Sequence, residues 1–185
     1  MTALLSKIKN HYFKKELSKQ LRDSRVKLRT HGEVKTVGII FDASIQENRE
    51  IIAQQAETLR KQGKKVRIIG FFNDKNPHEG TPYPYFNIKD LDWKQVPRKE
   101  SAVIGDFIKQ PFDMLYTYVI GDNKVIDFIT AVSQANFKAG RYTEIHHESQ
   151  LMIDVQSNTD LRFLIRQIEL YLGKINKKHE VAVAV

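Results

Sequence analysis

The sequence predicts a three-layer α/β domain, Rossmann-like or flavodoxin-like, with about five mostly parallel strands, helices on both faces and a basic N-terminal helix ahead of them. Three observations predict it. Continuous apolar runs, VGIIF at 37–41 and MLYTYVI at 114–120, mark strands buried on both faces. Segments of helical period alternate with such runs along the chain. The excess positive charge is segregated: residues 1–30 hold nine lysines and arginines against Glu16 and Asp23, which is +7 of the net +8.

Each element has its own justification. Over about 3–28, Leu4, Leu5, Ile8, Tyr12, Phe13, Leu17 and Leu21 fall at helical spacing, with basic residues around the rest of the circumference. His31-Gly32 is the expected end of this arm. Residues 1–32 then stand apart from a body at 33–178 and an expected frayed tail at 179–185. The first strand, Thr36 to Phe41, closes at Asp42. Ser44 with Glu47 makes a Ser-x-x-Glu capping box for a helix over about 45–62. Its inner face is Ile51, Ile52, Gln55, Ala56 and Leu59, and Gly63 stops it. The second strand, Lys65 to Phe72, completes a right-handed βαβ unit.

Four prolines between 77 and 97 keep the next elements short. Tyr85 to Ile88 reads as a brief strand, and Asp90 to Trp93 as a turn with a buried indole. A helix over about 100–109, with Val103, Ile104, Phe107 and Ile108 inward, ends before Pro111. A third buried strand at 114–120, a helix over about 124–135 and short strands at 137–142 and 151–155 follow. A helix over about 159–173, capped from among Ser157 to Asp160 and ended by Gly173, closes the alternation.

Composition narrows the classes further. Hydrophobic residues at 41% and charged residues at 28% are globular values. The absence of cysteine excludes disulfides, thiol catalysis and thiolate metal sites, and fits a reducing compartment. The start has too short an apolar run for a signal peptide, and no run approaches the roughly 18 apolar residues of a membrane span. A cytoplasmic soluble protein is expected.

In a sheet of this kind, ligands bind outside the carboxyl ends of the strands, where strand order reverses. The candidate crevice residues are Asp42 and Ser44, Asn73 and Asp74, and Asp122 and Asn123, after the first, second and third strands. Arg141, Gln156 and Asn158 follow later ones. Such carboxylates and amides can hold a metal, a sugar or a ribose hydroxyl, although Asp and Asn also end strands for reasons of turn chemistry alone. The loop FDASIQEN contains neither G-x-G-x-x-G nor G-x-x-x-x-G-K-[ST], which argues against a standard dinucleotide or P-loop site. His146 and His147, between Glu144 and Glu148, point apart in an extended chain and lack H-E-x-x-H spacing, so a solvent-facing turn is expected and no metal is assigned. No G-x-S-x-G elbow supports a serine hydrolase, and no cofactor follows from any motif.

The arm supplies the candidate polyanion-binding residues: Lys7, Lys9, Lys14, Lys15, Lys19, Arg22 and Arg25. With His11, Tyr12 and Phe13 among them, they can follow the phosphates of RNA or of a ribonucleoprotein. The same helix can lie on an anionic membrane surface, and its ordinary fate is to pack its stripe on the body with its lysines solvated.

Several short blocks resemble a family of small bacterial α/β proteins of unknown function. They are the basic leader, VGIIFDAS, the segment Asn87 to Trp93, Gln110-Pro-Phe-Asp-Met-Leu, Phe137-Lys-Ala-Gly-Arg-Tyr, and Leu151-Met-Ile-Asp with the last helix. The resemblance runs over nearly the whole chain and transfers no activity and no functional residue. In that family the third strand typically continues as an acidic, apolar segment, where this chain has Tyr116-Thr117-Tyr118. The leading expectation is therefore a non-enzymatic binding or accessory protein that contacts RNA through its arm. The alternatives are an enzyme or small-ligand-binding domain using Asp42, Asp74 and Asp122, and a peripheral membrane protein.

Overall fold

Six strands form one all-parallel sheet in the computed structural model, which describes residues 2–23, 34–143, 149–155 and 158–183. They are β1 (Thr36–Asp42), β2 (Lys65–Phe72), β3 (Tyr85–Asn87), β4 (Met114–Tyr118), β5 (Phe137–Arg141) and β6 (Leu151–Ile153). Their order, β3-β2-β1-β4-β5-β6, is the Rossmann order and not the flavodoxin one. The helices are α1 (Thr2–Asp23), α2 (Gln46–Lys61), α3 (Ala102–Lys109), α4 (Lys124–Val132) and α5 (Leu161–Val183).

The continuous apolar runs follow from burial on two faces. In β1, Val37, Ile39 and Phe41 join the layer under α2 and α5, while Ile40 joins the layer under α1, α3 and α4. Ile51, Ile52, Ala56 and Leu59 carry the α2 side, and Leu161, Leu164, Ile165 and Ile168 the α5 side. Ile104, Phe107, Ile126, Phe128 and Ile129 carry the opposite layer.

No helix joins β2 to β3. Instead Tyr83 lies over the sheet there, edge-on to Phe41 at 5.3 Å. Gly70 makes room for it, since a Cβ at that position would sit 2.8 Å from the Tyr83 ring and 3.0 Å from Ala43 Cβ. Two buried polar devices stiffen the other half. Thr117 and Thr130 hydroxyls bond at 2.9 Å between β4 and α4. The fully buried Lys138 donates from Nζ to Ala131 O at 2.7 Å, supplying the cation that the last turn of α4 otherwise lacks.

Four local expectations need correction. Ser44 and Glu47 do not form a capping box: Ile45 is the N-cap of α2, and Ser44 Oγ accepts from Asn73 N at 2.8 Å. Gly173 does not end the last helix, which continues to Val183; one interior glycine costs only about 1 kcal/mol, and no proline follows. Val103 is exposed on the outer side of α3. Trp93 is 56% exposed, because the turn that holds it sends Leu91 and Val96 into the core and leaves the indole at its tip.

Candidate functional site

β1 and β4 are neighbours, and the helices that follow them, α2 and α4, pack on opposite faces of the sheet. Their carboxyl ends therefore diverge at the place where this fold opens a crevice. The structure sorts the candidate residues there into two groups.

Asp42, Ser44 and Asp74 serve the local chain. Asp42 Oδ1 accepts from Ser44 N at 2.9 Å, and Ala43 N donates to Phe71 O, so the exits of β1 and β2 are sewn together. Asn48 and Arg49 of α2 add bonds to Asp42 O and Ala43 O. Asp74 accepts from Asn76 N at 2.8 Å and meets His78 Nε2 at 3.0 Å. The hydrogen bond from Asn76, and then that from His78, hold its carboxyl below the ordinary range. His78 in turn stacks on Phe72.

Asn73, Asp122 and Asn123 do converge, on an open groove of about 900 Å³. One wall carries Lys89, Trp93 and Arg98; the other carries Asp122, Asn123 and Lys124. Lys75 joins them, and the buried Phe71, Leu91 and Val125 give an apolar base. Asn123 also caps α4, its Oδ1 accepting from Ile126 N at 3.1 Å. Four cations, Lys75, Lys89, Arg98 and Lys124, thus face two carboxylates, Asp92 and Asp122. Both acids are partly engaged: Asp92 Oδ1 accepts from Lys94 N and Val96 N, and Asp122 lies 3.4 Å from Arg141. The cations were not singled out by sequence, because their meeting depends on strand order.

α1 packs against residues that line this groove. Phe13 and Leu17 are buried in the layer with α4, Phe13 lying 5.5 Å from the Phe128 ring. Tyr12 meets Trp93 edge-on at 5.3 Å, and Glu16 faces Lys94 at 3.9 Å. On the other wall, Lys124 Nζ donates to Asn10 Oδ1 at 2.7 Å. α1 therefore packs, and it touches both walls as it does so. Lys7, Lys9, Lys14, Lys15 and Lys19 remain exposed. The side chain of Arg22 and the whole of Arg25 lie outside the described residues, as do His31-Gly32, the segment with His146 and His147, and Gln156. Asn158 is exposed and accepts from Asp160 N.

A second cluster sits behind Asp122. Arg141, at the end of β5, reaches Asp127 Oδ2 at 3.1 Å and Tyr142 O at 2.9 Å. Both members of the ion pair are buried. Burial pushes the Asp127 carboxyl up to about 6; Arg141 opposes that shift and Asp122 adds to it. The pair ties the first turn of α4 to the end of β5, and so holds the wall that carries Lys124.

Among the described residues, no three histidines or acids gather to hold a metal ion. No described helix is long and apolar enough to cross a membrane. No curated protein and no solved structure matches the chain. A family model does: that of a family of unknown function (DUF6913) matches residues 7–175, and the chain belongs to this family.

Proposed function

We propose that the chain is a non-enzymatic, cytoplasmic accessory protein that binds RNA, with α1 and the carboxyl-end groove as one continuous contact surface. The observation that carries this reading is the docking of α1 by an apolar edge that includes Phe13 and Leu17. That edge leaves five lysines exposed on a helix that touches the lining of a groove with four cations of its own. A helix that only packed would not need its lysines beside further cations; a phosphate backbone does. The carboxylates offered for an enzymatic reading do not converge, since of Asp42, Asp74 and Asp122 only the last lines the groove.

The test is fluorescence anisotropy with a labelled RNA oligonucleotide at about 0.1 M salt. The variant K7Q/K9Q/K14Q/K15Q/K19Q leaves Phe13 and Leu17 in place, so α1 can still dock. It is expected to bind at least about tenfold more weakly than the wild type. Equal affinity of the two proteins overturns the reading. So does association with anionic vesicles in the absence of any RNA binding, which assigns the same lysines to a membrane surface.

A further inference from the structure

Trp93 is the chain's one tryptophan, and it lies more than half exposed on the wall of a cationic groove. Exposing an indole forfeits the burial that this large side chain ordinarily contributes. Nothing about its turn is loose. Asp92 N donates to Val96 O, Gln95 N to Asp92 O, and the Asp92 carboxylate accepts from Lys94 N and Val96 N. Leu91 and Pro97 form a bridge across the base, and Arg98 Nε donates to Leu91 O at 2.8 Å. Gln95 is the one non-glycine residue with positive φ, at 64°, among the described residues. The indole is therefore presented by a turn that is held on every side, with Tyr12 of α1 against it.

From this juxtaposition we infer that the groove takes a single RNA strand, with one base stacked on Trp93 and the neighbouring phosphates on Lys75, Lys89, Arg98 and Lys124. The inference rests on the RNA reading above and names the form of RNA. A duplex keeps its bases stacked on one another and offers none to an indole, whereas every unpaired base has a face to give. The rigid turn lowers the ordering cost of that contact. Asp122, exposed and 3.4 Å from Arg141, shares its wall with the cation Lys124.

The single tryptophan makes the test direct. Wild-type protein is titrated with oligouridylate, with a blunt RNA duplex of equal charge and with inorganic polyphosphate. Tryptophan emission and anisotropy are followed together. Oligouridylate is expected to quench the emission with the midpoint seen by anisotropy; duplex and polyphosphate bind without quenching. Trp93→Ala is expected to weaken oligouridylate roughly 5- to 100-fold while leaving polyphosphate unchanged, and Trp93→Phe recovers most of the loss. If oligouridylate binds but emission is unmoved, or if Trp93→Ala binds it as the wild type does, the stacking inference is wrong and the RNA reading stands. Failure of every RNA to bind removes both.

Discussion

Asp127 shows what burial does to one side chain behind the groove. Its carboxyl is raised from 3.8 to about 6, by burial first, even with Arg141 at 3.1 Å. A group whose folded value is raised contributes stability below its unfolded value and loses that contribution as pH rises through the folded one. The urea-unfolding free energy of the wild type, relative to Asp127→Asn, should therefore fall by on the order of 2–3 kcal/mol between pH 4 and pH 6.5. A constant difference over that range would contradict the assignment. Gly70 offers a second residue-scale outcome. A methyl there meets the Tyr83 ring at 2.8 Å, so Gly70→Ala should cost about 1–3 kcal/mol by chemical denaturation. Adding Tyr83→Ala should remove most of that coupling. Neither feature was legible in the sequence. Asp127 reads there as one more helix residue, and nothing local to Gly70 announces a tyrosine thirteen positions on.

At the scale of elements, periodicity was a good guide wherever a single face decided the packing. α2, α3 and α4 lie within a few residues of where their apolar spacing places them, and the strands likewise. Two of the errors share a cause. Ser44 and Trp93 were read from local chemistry, but a tertiary partner claimed the first and the turn around Asp92 turned the second outward. α1 is the element with most at stake. Among its described side chains Phe13 and Leu17 are the buried apolar ones, so Phe13→Ala with Leu17→Ala should release the helix without unfolding the sheet; each such truncation removes a few kcal/mol of docking. Hydrogen exchange should then lose protection in 2–23 and keep it in β1, β2 and β4. Loss of protection in all of them together would mean that α1 is part of the cooperative core.

For the whole molecule, alternation of strands and helices was enough to predict an α/β sheet, and strand order was what separated the Rossmann arrangement from the flavodoxin one. The groove follows from that order. Lys75, Lys89, Arg98 and Lys124 are scattered over some fifty positions and meet only because β3, β2, β1 and β4 lie side by side. Charge counting along the chain found the arm but not this second set, since opposite charges in the body conceal it. α1 meets the groove lining through Tyr12 on Trp93 and Asn10 on Lys124, which is where the proposed surface continues from one set to the other.

That continuity is tested most directly by the salt dependence of single-stranded RNA binding. Each phosphate neutralised contributes about 0.7 to the slope of log K against log salt. The wild type should show a slope steeper than about −4, and replacing the five exposed lysines of α1 by glutamine should flatten it by up to about 3.5 while a residual slope from the groove persists. A wild-type slope near zero, or one that the five replacements leave unchanged, would contradict the account.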